Sequence, residues 1–298
     1  MTKKLSVGGQ AVIEGVMMRG PGKIAVAVRK ADGTIAVDLD GVGTIGDRYP
    51  ILKKPLIRGV VSLCESLYYG MKALSYSAQV SGDEEETLDS KEMALTICTS
   101  VLLAVGLFIV IPTWTMRFLH SFTTNALVLN LTEGLLRLGI FLSYIWGISQ
   151  MSDIQRVFQY HGAEHKTIFT YEHGLPLEVE NVRPFSTLHP RCGTNFLMIV
   201  MLISTFIFAF LGWPSLPVRI LSRVILMPVI AGISYEIIHY AGSHMEKTWV
   251  QKAIWPGLCL QKLTTRQPDD SQIEVAIASL KAVLPEEEII GENAEKVS

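Results

Sequence analysis

Long apolar runs alternate with polar segments along this chain, and the alternation predicts its main elements. A helix needs about 20 predominantly apolar residues to cross the hydrocarbon core of a bilayer. The segments that approach or meet this length are 93–114, 126–148, 195–211 and 218–240. The pattern therefore predicts a mainly α-helical, polytopic membrane protein with about four transmembrane helices.

Two shorter patterns precede the first long apolar run. Residues 24–40 alternate apolar and polar positions around an Ala-Asp-Gly turn signal, which predicts a β-hairpin. Residues 56–79 carry apolar side chains at helical spacing, with Arg58, Glu65 and Lys72 among them. A helix of this kind is too polar to span a bilayer, and its pattern is typical of an amphipathic helix on the membrane surface.

The C-terminal part repeats the amphipathic pattern. Asp269 and Asp270 provide a helix start before the sequence IEVAIASLKAVL, whose apolar spacing predicts an amphipathic helix. The predicted division of the chain is a β-containing cytoplasmic module at 1–55, an amphipathic helix and acidic linker at 56–92, a four-helix membrane domain at 93–245 with a histidine-rich cytoplasmic loop at 149–193, and a cytoplasmic amphipathic segment at 246–298.

Composition agrees with a molecule that has an apolar part and a soluble part. Hydrophobic residues make up 49% and charged residues 18% of the 298 residues, and the mean hydropathy of +0.34 is high for a soluble globule. The net charge of −2 and the scattered basic residues exclude the electrostatic footprint of a nucleic-acid-binding protein. The four cysteines are far apart, so no disulfide framework is predicted.

Basic residues near the ends of the apolar runs predict the orientation in the membrane, because cytoplasmic segments carry an excess of them. Arg117, Arg219 and Arg223 flank the outer connections and argue for the opposite orientation, but they are fewer. We therefore expect a multi-pass protein of the cell membrane, with the lipid bilayer as its partner and both termini in the cytoplasm. The residues that favour this orientation are Lys53, Lys54, Arg58, Lys72 and Lys91 before the first run, Arg156, Lys166, Arg183 and Arg191 in the central loop, and Lys247, Lys252, Lys262 and Arg266 after the last run.

The central loop holds a motif suited to metal chemistry. His161, Glu164 and His165 match the H-x-x-E-H pattern of inverted zinc peptidases. On a helix the two histidines share one face, so two imidazole nitrogens can reach one ion, and Glu164 lies where a general base for a metal-bound water is needed. The alternative is a set of solvated polar residues in a loop, and Gly162 weakens the helix prediction.

Two further pairs extend the candidate ligand set. His189 and Cys192 precede the third apolar run and carry donor atoms that suit zinc; the alternative is a turn with a buried cysteine. Glu236 and His239 share one face of the fourth predicted helix near its cytoplasmic end; the alternative is a hydrogen bond that fixes helix packing. With His161 and His165, these four residues make six candidate ligands. One tetrahedral ion requires only four.

Other polar residues are assigned supporting roles. Arg191 and Lys166 are candidates for stabilising negative charge that develops during a reaction. Glu14 and Arg19 are embedded in an apolar, glycine-rich stretch and are expected to face the site.

Five motifs, EGVMMRGP, FQYHGAEHK, HPRCGTNF, ISYEIIHYAG and LTTRQPDDSQIEVAI, occur in order along the chain. Together they resemble the bacterial membrane family of unknown function 1385, the YqhQ-like proteins, over nearly the whole chain. The resemblance implies a polytopic membrane protein of a type labelled a predicted metal-dependent enzyme. It implies no particular reaction.

The sequence leaves three functions open. The leading hypothesis is a membrane-embedded metal-dependent hydrolase that holds zinc or another divalent ion at the cytoplasmic interface and acts on a peptide or lipid-linked substrate. The second is a scaffold or regulator with a closed structural metal site or polar cluster. The third is a transporter that uses Glu133, Arg137 and Arg223, although the chain lacks detectable inverted repeats and an internal ion pair is the preferred interpretation of Glu133 and Arg137.

Overall fold

The chain forms a small N-terminal sheet followed by helices. The computed structural model describes residues 5–43, 49–82 and 90–285. Most of the acidic linker predicted within 56–92, the run 81–89, therefore lies outside the described residues. The predicted hairpin is confirmed as half of an antiparallel four-stranded sheet, in which β3 and β4 pair with Ile24 opposite Asp40. The strands follow one another in sequence order as β1 (Gly8–Val12), β2 (Gly15–Gly20), β3 (Lys23–Arg29) and β4 (Ile35–Gly41).

Helices make up most of the remaining described chain, in agreement with the predicted fold class. A 3₁₀ turn at Pro50–Lys53 leads into the first of them. They are α1 (Ile57–Ser81), α2 (Ser90–Val105), a π-helical turn (Gly106–Val110), α3 (Ile111–His120), α4 (Ala126–Ile148), α5 (Ser152–Glu172), α6 (Val179–Val182), α7 (Gly193–Ala209), α8 (Leu216–Gly242), α9 (Thr248–Thr264) and α10 (Asp270–Val283).

Both faces of the sheet are covered. Side chains alternate between the two faces of a strand, so Val16 and Met18 of β2 join a core formed with α5 and α10. Met17, between them, joins a second core on the opposite face, where Ala73 of α1 packs. The C-terminal helix is capped by Asp269 in a capping box, as its sequence predicts. It is buried against the sheet, so the predicted C-terminal amphipathic segment shares a core with the N-terminal module.

The amphipathic helix predicted at 56–79 is present as α1. Its residues Tyr69 and Tyr76 pack under the sheet, whereas Leu67, Tyr68 and Met71 are exposed on its outer side. Near its start, α1 also packs closely on α8. The helix therefore connects the sheet to the long apolar helices.

Among the residues that the structure describes, three helical stretches are long and apolar enough to cross a membrane: Cys98–His120, Ala126–Ile148 and Leu216–Gly242. The third predicted span, 195–211, corresponds to α7, an apolar helix of 17 residues, whose length of about 25 Å is slightly less than the hydrocarbon thickness. The first stretch contains the π-helical turn, and α8 contains Pro228.

The central segment predicted as a loop is instead largely the helix α5, and much of that helix is buried. The glycine that weakened the helix prediction has a packing reason. A Cβ atom at Gly162 would lie 2.1 Å from the carbonyl oxygen of Arg266, so only glycine allows this close approach. Tertiary contacts therefore override the local propensity.

The chain segments that form the candidate site all lie at one end of the long helices. The sheet, α5 and α10 share a hydrophobic core, so they lie at the same end. There α4 leads into α5, α7 begins and α8 ends. The histidines of α5 thereby meet the start of α7.

Candidate metal centre

One face of α5 presents the residues of the H-x-x-E-H motif. Their helical spacing places His161, Glu164 and His165 together, and the ring centroids of the two histidines are 4.4 Å apart. Glu164 and His165 are buried, and the His161 side chain retains 13% exposure. The motif therefore lies in the protein interior rather than in a solvated loop.

Cys192 completes a group of three side chains of the types that bind metals. It is the N-cap residue of α7, and its Sγ lies 3.1 Å from Nε2 of His161. One ligand atom each from His161, His165 and Cys192 can be chosen so that all three lie within 4.8 Å of one another. From the usual bond lengths, the nitrogen and sulfur ligands of a tetrahedral zinc lie roughly 3.5 Å apart.

Backbone carbonyls fix the orientation of both imidazoles. Nδ1 of His161 is 2.8 Å from the carbonyl oxygen of Thr264, and Nδ1 of His165 is 2.5 Å from that of Thr187. A carbonyl oxygen can only accept a hydrogen bond, so Nδ1 carries the proton in each neutral ring and Nε2 keeps its lone pair. Metal-binding histidines are oriented by partners of this kind, so the donor set fits a divalent transition metal.

Glu164 lies beside the two imidazoles. Its Oε2 is 3.5 Å from Nε2 of His165 and 4.0 Å from Nε2 of His161. Burial raises the pKa of this carboxyl, while the nearby histidines His161 and His189 and a backbone hydrogen bond from Gly9 oppose that shift. β1 closes over the carboxylate, because a Cβ at Gly9 would contact Cγ of Glu164 at 3.1 Å.

Burial also favours the neutral form of two histidines in the site, His165 and His189. It lowers the pKa of His165, an effect that Cys192 opposes, and it lowers the pKa of His189 to about 4 despite the charge of Glu164. Neutral imidazole is the form that binds a metal.

His189 is a neighbour of the three-residue group rather than a member. Its ring centroid lies 5.6 Å from that of His165, but its Nε2 is 3.5 Å from Oε2 of Glu172 and its Nδ1 accepts a hydrogen bond from the Arg191 backbone. The structure thus brings the predicted ligand His189 into the outer part of the site.

A buried amide network holds the loop that carries Cys192. Gln261 of α9 accepts a hydrogen bond from the His189 backbone N–H and donates to the His189 carbonyl, at 2.8 Å in each case. It also donates to Oδ1 of Asn195, and the Nδ2 group of Asn195 donates in turn to the Pro190 carbonyl. Sequence reasoning missed Gln261 and Asn195, because amides in separate segments carry no spacing signal.

The structure does not bring Glu236 and His239 into this group. Glu236 pairs with Arg58 of α1, with Oε1 2.7 Å from Nε of the arginine, and accepts a hydrogen bond from the Leu56 backbone. The ring of His239 stacks on Tyr235. Their predicted convergence with the histidines of α5 is corrected, because an arginine in a distant segment satisfies the carboxylate.

The four residues predicted to have supporting roles form other contacts. Arg191 pairs with Glu172 at the edge of the site. Lys166 donates a hydrogen bond to the Arg183 carbonyl, and burial lowers its pKa. Glu14 pairs with Arg156 of α5, and Arg19 pairs with Glu65 of α1. These two ion pairs connect the sheet to the two helices.

Comparison with known proteins assigns the family. A family model described as a protein of unknown function (DUF1385) matches residues 54–286. The chain is 35% identical over 305 residues to the protein named "Uncharacterized protein YqhQ" of Bacillus subtilis (strain 168), in an alignment that covers 96% of this chain and 94% of that protein. No solved structure matches the chain significantly. The five motifs noted in the sequence thus indicated the correct family: the chain belongs to the family of unknown function DUF1385.

Proposed function

We propose that this protein is a metal-dependent enzyme of the membrane interface, with His161, His165 and Cys192 as the ligands of a divalent ion, most suitably zinc. The observation that carries the proposal is the pair of Nδ1 contacts to backbone carbonyls, which leave both Nε2 atoms free to bind an ion in a group that includes Cys192. Two nitrogens and one sulfur are donors that suit zinc.

Three protein ligands leave a fourth coordination position for water or substrate, which distinguishes catalytic zinc sites from structural ones. Zinc in such a site lowers the pKa of its bound water towards neutrality and polarises the substrate. Glu164 stands beside the histidine nitrogens, as a general base must, and its burial favours proton uptake. We therefore propose hydrolysis as the reaction class.

A structural metal site is the second candidate. The 3.5 and 4.0 Å separations between Glu164 and the histidine nitrogens also suit a fourth ligand, which would close the site. Cobalt substitution distinguishes the two. If the fourth ligand is a water that ionises, the visible spectrum of the cobalt protein should change with pH near neutrality. If Glu164 is the fourth ligand, the spectrum should not change with pH in the wild type and should do so only in the Glu164→Gln variant, in which the fourth position is open to water.

We also propose that the protein crosses the cell membrane four times, with both termini in the cytoplasm. The shared core of the sheet, α5 and α10 supports an even number of crossings between these segments. Pairing α7 with α8 satisfies this requirement, although α7 is short. The surplus of basic residues at that end supports a cytoplasmic site.

An apolar groove favours a lipid-linked substrate over a peptide. It has a volume of about 320 Å³ and lies between the last turns of α8 and the first half of α9, where Ile237 and Ile254 line it. This volume is within the range of ligand pockets. From Ile254, α9 runs about 15 Å to Thr264, whose carbonyl contacts His161. We propose that the groove holds a hydrocarbon chain and the metal centre its polar head.

Elemental analysis of detergent-purified protein tests the metal site. We expect about one equivalent of zinc or another transition metal in the wild type and a large loss in His161→Ala/His165→Ala. The matched control is His120→Ala/His173→Ala, which removes two exposed histidines and should keep the metal. Helical content and monodispersity must be equal in all three proteins. A wild type that remains metal-free after reconstitution with several divalent ions would refute the proposal.

Filling the groove tests the substrate class. Ala253 lines the groove, so Ala253→Trp should reduce labelling by a photoreactive fatty-acyl phospholipid while the metal content stays at the wild-type value. Unchanged labelling would reject the lipid-linked substrate and leave the metal proposal in place.

A further inference from the structure

A second polar cluster lies within the long helices, at the end opposite the candidate metal centre. Glu133 of α4 is paired with two arginines: its Oε1 lies 2.6 Å from Arg137 of the same helix and 2.5 Å from Arg223 of α8. Arg223 also contacts Asn130 at 3.3 Å. Arg219, one turn earlier in α8, lies over the ring of Trp213 at 4.1 Å.

This cluster carries more positive than negative charge. Within residues 98–148 and 193–245 the only carboxylates are Glu133 and Glu236, and Glu236 is paired with Arg58 at the other end. One carboxylate is thus paired with two guanidinium groups, and a third, that of Arg219, lies one helical turn from Arg223. None of these groups loses its proton in proteins. Ionisable groups at membrane depth are costly unless they are paired, so two positive charges require further anionic partners.

The cluster also has an unused hydrogen-bond donor and a small adjoining cavity. Nε of Arg137 is buried and has no hydrogen-bond partner among the residues that the structure describes. A cavity of about 30 Å³ adjoins Glu133, Arg137 and Arg223 and is also lined by Ser204 and Thr205 of α7. This volume holds about two water-sized groups, such as the oxygens of an anion.

Its position suits a ligand from the membrane surface. Arg219 and Arg223 lie about one and two turns from the start of α8, which places them within about 10 Å of that helix end. Asn130 donates a hydrogen bond to the Gly212 carbonyl, so the cluster reaches the connection between α7 and α8. Trp213 in this connection is a residue type enriched at the membrane–water interface.

We propose that this arginine cluster binds a phosphate group, supplied by the headgroup of an anionic phospholipid in the leaflet at that end. Guanidinium groups bind phosphate oxygens through paired, charge-assisted hydrogen bonds. Arg219 binds the phosphate of the headgroup at the interface, and the excess positive charge of Arg137 and Arg223 attracts it electrostatically. This site is independent of the metal centre.

Thermal unfolding in an uncharged detergent tests the site in the full chain. The three ligands are phosphatidylglycerol, a diacylglycerol with the same chains but no phosphate, and inorganic phosphate. We expect a saturable rise of Tm with phosphatidylglycerol and none with diacylglycerol. Arg219→Gln should weaken the apparent affinity about tenfold, the effect of losing one charge-assisted contact. Arg219→Lys, which keeps the charge, should give an intermediate loss.

Arg117→Gln is the matched control, because Arg117 is an exposed arginine at the end of α3; it should bind like the wild type. A rise with inorganic phosphate alone that Arg219→Gln removes would support the phosphate site and assign free phosphate as its source. Equal stabilisation by diacylglycerol, or equal affinities of Arg219→Gln and Arg117→Gln, would overturn the proposal. Should Arg219→Gln not fold, the comparison of Arg219→Lys with Arg117→Gln decides. Metal content should be unchanged in every folded variant.

Discussion

Replacing Gln261 with leucine should both destabilise the protein and weaken its affinity for a metal. The side chain is fully buried, and it joins α9 to the backbone of His189 and to Asn195. Leucine has a similar volume but neither donates nor accepts a hydrogen bond. The substitution therefore removes the polar contacts without opening a large cavity.

The size of the loss in stability follows from the number of buried polar groups that the substitution leaves without hydrogen-bond partners. The His189 carbonyl keeps hydrogen bonds from the Cys192 backbone and from Asn195. The His189 N–H and Oδ1 of Asn195 lose the partner that Gln261 gave them. Each orphaned buried group costs roughly 1–3 kcal/mol, so the free energy of unfolding should fall by about 2–6 kcal/mol. The loop that positions Cys192 is then loosened, and partners of this kind alter metal affinity by roughly 10–100-fold.

Chemical unfolding followed by tryptophan fluorescence measures the first effect, and competition with a chromophoric chelator measures the second. Gln251→Leu is the matched control on the same helix, because Gln251 is exposed and its change should cost less than about 0.5 kcal/mol. Equal unfolding midpoints for the two variants would refute the role assigned to the buried network. A destabilised Gln261→Leu variant with wild-type zinc affinity would refute only its role in positioning Cys192.

Three further substitutions test separate contacts. Gly162→Ala should lower the free energy of unfolding by about 1–3 kcal/mol, because the new Cβ would lie 2.1 Å from a backbone oxygen. Gly139→Ala is the control: its Cβ would meet nothing within 4 Å, so it should be neutral in the same unfolding assay. Glu236→Gln should leave metal content by elemental analysis unchanged, because its carboxylate pairs with Arg58; a loss of metal would restore Glu236 to the ligand set. Ser279→Ala should lower the free energy of unfolding by about 1 kcal/mol by removing the buried hydrogen bond to the Ala25 carbonyl, and hydrogen exchange should quicken at the α10–β3 contact.

Local patterns predicted the elements of this fold well. The hairpin at 24–40 and the helix after Asp269 depend on alternation, turn residues and capping, which act over a few positions. The length of an apolar run predicts a membrane helix for the same reason. The position of α10 against the sheet could not be predicted, because this contact joins opposite ends of the chain. The apolar spacing of α10 predicts that one face of the helix is buried, but not which element covers it.

The candidate site shows the same limit. H-x-x-E-H places His161 and His165 on one helical face by local geometry alone, and the structure adds Cys192 from the start of α7. Glu236 and His239 have an equally suitable spacing, yet Arg58 lies closer to that carboxylate. Thr187 and Thr264 act through backbone carbonyls, which any residue provides, so no sequence motif could identify them.

The position of the candidate centre would couple metal binding, if it occurs there as proposed, to the folding of the whole membrane region. His161 and His165 lie after α4, Cys192 begins α7, and the carbonyl of Thr264 that orients His161 ends α9. These segments meet only when the helices between them have packed, because α7 and α8 separate Cys192 from Thr264 in the chain. A metal held by His161, His165 and Cys192 would stabilise only this assembled state, by an amount that grows with the ratio of free metal to dissociation constant. Metal-dependent stability would therefore extend to the contacts among α7, α8 and α9, beyond the residues that touch the ion.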